Sequence, residues 1–222
     1  MHDDEKGLNW NSPSYFEQSQ VYEIFSEKED ALDLVWDALK YRLTGKILDA
    51  GCGTGKYLKK CTEHGFDVLG IDRSCEQVSM VNQKGLIAKV CDILDLNSLG
   101  LKFDTIFSCW VLGTIPEKNR LVALEQMKSC LNPKGIIYLI ENKPFSDFEL
   151  VRGHTEKINT STLYDQWLSQ QGFKEEKIFF SKFGFDSDEQ ATDIFKKIWG
   201  SRITKNIPRD LNHTITLWSL KM

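Results

Sequence analysis

No run of apolar residues in this 222-residue chain approaches the length of a membrane span. None of the six cysteines, Cys52, Cys61, Cys75, Cys91, Cys109 and Cys130, belongs to a C-x-x-C pair, so no metal site is expected. Their simplest reading is buried free thiols in a reducing cytosol. Basic tracts are absent and the formal net charge is −4. That balance argues against a broad phosphate-binding face and makes nucleic acid an unfavoured partner, although a local patch is still allowed. Met1-His2-Asp3-Asp4-Glu5 is acidic and polar, unlike a secretory leader, so a cytoplasmic protein with no membrane segment is expected. Internal repeats and low-complexity tracts are missing too. At this length and 41% hydrophobic content, the chain has room for one sizeable core: one domain, or one domain with a cap.

What stands out is Ile47-Leu48-Asp49-Ala50-Gly51-Cys52-Gly53-Thr54-Gly55. A short apolar run ends in an acid and breaks into three alternate glycines. A buried strand that turns through glycines into a helix is how α/β folds cradle nucleotide-like ligands. Here too an absence is informative. The dinucleotide fingerprint G-x-G-x-x-G needs glycine at Lys56, which disfavours NAD. A P-loop needs Ser or Thr after its lysine, and Tyr57 stands there, which disfavours ATP.

Further apolar runs follow at βαβ intervals. Asp67–Asp72 reads as a second strand ending in an acid that suits ribose hydroxyls. Leu86–Val90, Phe103–Ser108 and Gly135–Ile140 read as strands three to five, the third ending at Cys91-Asp92-Ile93. Helices are predicted over 27–43, Lys56–His64, Ser74–Gln83 with Ser74 as cap, Glu117–Leu131 and Ser161–Gln171. Leu121, Leu124 and Leu131 are placed on one face of the fourth of these. Strands alternating with helical patterns argue for a parallel sheet.

Asp49-Ala50-Gly51-Cys52-Gly53-Thr54-Gly55 resembles the first motif of class I S-adenosylmethionine-dependent methyltransferases. Asp72, Asp92, the Phe103-Asp104-Thr105-Ile106-Phe107-Ser108 strand and Leu131-Asn132-Pro133-Lys134-Gly135 fall where that family has its later motifs. The resemblance covers roughly residues 30 to 180. It implies a three-layer Rossmann-like α/β sandwich, with a mostly parallel seven-stranded sheet and an antiparallel C-terminal strand pair. That pair would be Lys177–Phe183 and His213–Leu220. It also implies S-adenosyl-L-methionine as cofactor. Gly51, Cys52 and Gly53 would lie along its methionine part, with Asp49 orienting the loop or meeting the amino group. Asp72 would take the ribose hydroxyls, and the Arg73 stem would lie over adenine. Asp92 and the Ile93 amide would meet the adenine edge, with Ser108 and Trp110 at the end of the fourth strand. Tyr15, in an N-terminal lid segment (1–26) ahead of the methyltransferase domain (27–222), would close over the cofactor.

The acceptor is less defined. Transfer from a sulfonium mainly needs alignment and exclusion of water, with a base only for a protonated nucleophile. Glu141, beside Asn142 on the fifth strand's carboxyl edge, and His154, in a loop with Arg152 and Lys157, are the candidate catalytic groups. His213 is the weaker histidine. The 184–212 connection is too long for a hairpin turn and carries a helical pattern over Asp188–Trp199, which reads as a substrate cap. The expected activity is methyl transfer to a small-molecule or peptide-like oxygen or nitrogen nucleophile. RNA methylation and a non-catalytic cofactor-binding partner subunit are the alternatives.

Overall fold

The computed structural model describes residues 19–144, 146–151, 157–200 and 203–222, with the backbone alone at 157–161. Tyr15, Arg152 and His154 lie outside the described residues. Among the described residues, seven strands form one sheet: β1 (Lys46–Ala50), β2 (Asp67–Asp72), β3 (Ala88–Val90), β4 (Phe103–Cys109), β5 (Leu131–Asn142), β6 (Lys174–Gly184) and β7 (Asp210–Lys221). Their order is β3-β2-β1-β4-β5-β7-β6. The first five pair in parallel, and β7 runs antiparallel to both β5 and β6. The sheet order reverses direction between β1 and β4, the crevice where open α/β sheets place ligands.

Strand alternation sends successive side chains to opposite layers. Ile47, Phe107, Ile136, Tyr138, Ile140, Ile215 and Leu217 pack with α2 (Ala31–Leu39) and with Tyr57 and Cys61 of α3 (Lys56–Glu63). Leu48, Ile106, Ile137, Leu139 and Trp218 face Leu124 and Met127 of α5 (Glu117–Ser129) and Tyr164 and Leu168 of α7 (Lys157–Gln170). The sheet is thus the middle of three layers, as the resemblance implies. Between β2 and β3, α4 (Cys75–Gln83) starts where Ser74 Oγ accepts the Gln77 N–H at 3.2 Å.

The helix expected over 27–43 is two helices, α1 (Ser19–Glu27) and α2, and α1 crosses the expected lid boundary. Tertiary pairing breaks the helical pattern. Gly184 N–H donates to Lys28 O at 2.8 Å, Asp30 N–H donates to Lys182 O at 3.2 Å, and Glu29 bridges to Phe183. Residues 28–30 thereby serve the edge of β6, which local periodicity cannot register. Leu121 is exposed, because the buried stripe of α5 is Ala123, Leu124 and Met127 and Leu121 falls well round the helix from it. Leu131 already belongs to β5.

The connection after β6 holds α8 (Asp188–Trp199), at the bounds its pattern predicts. Its buried face, Ala191, Ile194, Phe195, Ile198 and Trp199, joins Phe25 of α1, Phe148 of the short α6 (Asp147–Val151) and Phe183 in a separate aromatic core. Phe25 lies 4.8 Å from Phe183 and 5.7 Å from Phe195 between ring centroids.

Candidate active site

At the end of β1 the Gly51 and Cys52 N–H groups both donate to Ile71 O at 2.8 Å, fastening the glycine loop to β2. Gly51 has φ +86°, and a Cβ there would lie 2.3 Å from Val111 Cγ2, so no other residue fits. Gly53 differs. Its φ is +53°, but the nearest atom to a Cβ would be Gln77 Oε1 at 3.7 Å, so the space above its backbone is open. Asp72 bridges loop and helix: Oδ2 accepts the Gly53 N–H at 3.0 Å and Oδ1 the Ser74 N–H at 2.9 Å. Burial pushes the Asp72 carboxyl up, against those bonds.

Asp49 is 2% exposed and its Oδ2 is buried without a hydrogen-bond partner. Burial and the nearby Asp72 charge push its carboxyl well above the ordinary range, opposed by the Leu58 N–H. An orphaned carboxylate oxygen below open glycine backbone fits the ammonium end of an S-adenosylmethionine methionine part. Arg73, next to Asp72 in the chain, is exposed, and Ile93 is buried. Asp92 caps a 3-10 segment, Ile93–Leu99, by accepting the Leu94 N–H at 2.9 Å. That contact occupies one carboxylate oxygen.

Two of the expected contact residues are engaged inside the fold. The Ser108 hydroxyl is fully buried and donates to Ala50 O at 2.8 Å, tying β4 to the end of β1. The Cys52 thiol is buried against Gly70, and burial raises its pKa. Lys56, which stands where a dinucleotide fingerprint has glycine, has a clear use: its Nζ donates to Glu23 O at 3.2 Å. Lys84 reaches Glu23 Oε1 at 2.5 Å and Thr54 O at 3.2 Å. Together they strap α1 to the glycine loop.

Glu141 and Trp110 are not brought together. Glu141 lies on the α5–α7 face of β5, where its Oε1 accepts the Gly113 N–H and the Tyr164 hydroxyl, each at 3.1 Å. Burial pushes its carboxyl up to about 7, against those two donors and the Arg120 charge. Its visible role is to pin the loop after β4. Trp110 is on the opposite face with φ 57°, a strained backbone for a bulky residue. Its N–H donates to Ile140 O at 2.8 Å, while the indole Nε1 is buried and unpartnered.

Around Trp110 the structure gathers Tyr57 and Glu29, to which sequence reasoning gave no role, together with His213, its weaker histidine candidate. The Tyr57 ring lies 6.4 Å from it and the His213 ring 6.5 Å. His213 is 2% exposed, with Nδ1 at 2.5 Å from Glu29 Oε1 and Nε2 at 3.0 Å from Asn142 Oδ1. Asn142 Nδ2 donates to Glu149 at 3.1 Å, and the Ser181 hydroxyl lies 2.7 Å from Glu29 Oε1. Glu29 also lines a cavity of about 530 Å³ with Asp30, Lys182, Phe183 and Asn212, at the β6–β7 end of the sheet edge and not over the glycine loop. The only local signal for His213 was that it shares a strand face with Ile215 and Leu217.

A parallel sheet whose first strand turns through glycines, with the acid of the second strand bonded back to that turn, defines a Rossmann-like ligand-binding α/β protein. A family model described as a methyltransferase domain matches residues 20–191, and the chain belongs to that family, within the class I, S-adenosylmethionine-dependent methyltransferases. The putative methyltransferase YqeM of Bacillus subtilis (strain 168) is 28% identical over 160 residues, covering 68% of this chain and 64% of that protein. The probable tRNA methyltransferase 9B of Homo sapiens is 31% identical over 134 residues, covering 58% of this chain and 27% of that protein. The aligned stretches span less than two thirds of these relatives' own length. The plantazolicin methyltransferase BpumL, solved in complex with SAH, shares the fold at a TM-score of 0.55 and 17% identity, covering 94% of each chain. Among the described residues, no helix is long and apolar enough to cross a membrane.

Proposed function

We propose that the protein is an S-adenosylmethionine-dependent methyltransferase acting on a small-molecule or peptide-like nucleophile. One observation carries the reading: the buried, unpartnered Asp49 Oδ2 under an open glycine loop that Asp72 clamps. When bound, the cofactor supplies an electrophilic methyl group. The chain's own work is to bind, align and exclude water. Asp49 receives the ammonium group, Gly53 admits it to the backbone, and Gly51 lets the loop turn tightly against Val111. Asp72 takes the ribose hydroxyls. Arg73, Asp92 and Ile93 border the adenine. Cys52 and Ser108 support the glycine loop from behind, and Glu141 pins the loop after β4 through Gly113. Trp110 walls the transfer position. Tyr15 and His154 keep their proposed places as lid and polar anchor, residues 1–26 as lid and 184–212 as cap.

Calorimetry with S-adenosylmethionine tests this. Binding is expected, accompanied by release of up to about one proton as the ammonium brings the Asp49 carboxyl back down. Titration in two buffers of different ionisation enthalpy reads that proton. Absence of binding by the parent would sink the enzyme reading. RNA methylation is the second reading, because the human relative is named a tRNA methyltransferase. Strongly salt-dependent affinity for a tRNA transcript would support it.

A further inference from the structure

Four side chains from four distant segments close a ring at the end of β4: Glu29 between α1 and α2, Tyr57 in the first turn of α3, Trp110 after β4, and His213 at the start of β7. Their neighbours are mutual. Tyr57 and His213 flank the Trp110 ring, and His213 holds Glu29. Two polar atoms in this ring have no partner, the Tyr57 hydroxyl and the Trp110 indole nitrogen, and both are buried. A buried donor left unmet is costly. A buried polar atom without a partner needs an explanation, and for two of them side by side at the carboxyl edge of the sheet a bound ligand supplies one.

We propose that Tyr57, Trp110 and the Glu29–His213 pair form the acceptor-binding site, and that the acceptor is a neutral aromatic alcohol or phenol held by its oxygen. This rests on the methyltransferase reading above. The indole N–H can only donate, so what meets it must offer a lone pair, which an ammonium group lacks. The Glu29 carboxylate beside His213 disfavours an anionic oxygen. The Trp110, Tyr57 and Phe148 rings supply apolar walls, with Phe148 at 4.4 Å from His213. His213 has both nitrogens committed, to Glu29 and to an Asn142 oxygen whose orientation Glu149 sets. It therefore leaves recognition to the two unpartnered donors, and as the O–CH3 bond forms and the S–CH3 bond breaks the hydroxyl proton passes to the Glu29 carboxylate.

The test uses the full chain in two calorimetric stages. S-adenosylhomocysteine is titrated first; if it does not bind, the cofactor reading fails by itself. The saturated complex is then titrated with phenol, benzylammonium and benzoate. Phenol is expected to bind at least about tenfold more tightly than either charged probe, the effect of one buried hydrogen bond or one uncompensated charge. Tyr57→Phe is expected to weaken phenol about tenfold while S-adenosylhomocysteine affinity stays within about twofold. Its unliganded melting temperature should not fall, because the lost hydroxyl has no partner. A purely structural tyrosine would not separate these readouts. With S-adenosylhomocysteine bound, three results would each overturn the proposal: no phenol binding, a preference for benzylammonium or benzoate, or unchanged phenol affinity in Tyr57→Phe. Tight binding of a tRNA transcript by a complex indifferent to phenol would do the same and favour RNA.

Discussion

The two halves of the sheet's carboxyl edge are built differently. Around the glycine loop, the groups proposed to meet the cofactor come from one contiguous stretch and from Asp72 one βαβ step later, and backbone hydrogen bonds hold the loop. Around Trp110, the groups are side chains from residues 29, 57, 110 and 213, brought together across the whole chain. The first half is a local device that any class I sheet can carry. The second depends on the aromatic core of α1, α6 and α8, which folds the α1–α2 junction against β6. A binding site for the common reagent can be written in one motif, whereas a site for a particular acceptor needs long-range packing.

The largest effect that probes this division should come from Phe195→Ala. Phe195 is fully buried in the aromatic core, so the change should cost about 3–5 kcal/mol in urea unfolding. Cofactor affinity of the remaining folded protein should hold; a parallel loss would mean the two halves are not separable. Next, Asp72→Ala removes the clamp on Gly53 and Ser74, and S-adenosylmethionine affinity should fall about 100-fold by calorimetry. Retained affinity would break the glycine-loop half of the comparison.

Glu141→Gln gives a smaller effect that depends on pH. Burial raises the folded carboxyl from 4.5 to about 7, so the folded protein keeps a proton that the unfolded chain gives up. The stability from this group is whole below 4.5 and is lost as pH rises through about 7. The parent should therefore lose stability relative to Glu141→Gln over that window, by on the order of 2 kcal/mol, read as melting temperature against pH. Parallel profiles would show that the carboxyl does not titrate there. Smallest is Ser74→Ala, which removes the α4 cap and should cost about 1 kcal/mol in chemical denaturation. A cost near zero would mean that Asp72 alone organises the turn.

The glycine loop, the βαβ alternation, the Ser74 cap and the bounds of α8 were legible because each is set by neighbours within a few residues. The seven-stranded sheet with its antiparallel end followed from the motif order and the resemblance it carries. Less legible was the break at 28–30, where a continuing helical pattern yields to pairing with β6. Glu141 looked accessible because it ends a strand at the right edge; strand alternation turns it to the α7 face instead. Tyr57 was noticed only for not being a P-loop Ser or Thr, and Glu29 gave no local sign.

By itself, then, the sequence determined a Rossmann-like sheet and a glycine cradle, since hydrophobic period and turn chemistry are short-range properties of the chain. Only the tertiary structure decided which way Glu141 faces and which groups surround Trp110. It also decided that Lys56 ties down α1, because each of these depends on contacts between residues far apart in the chain.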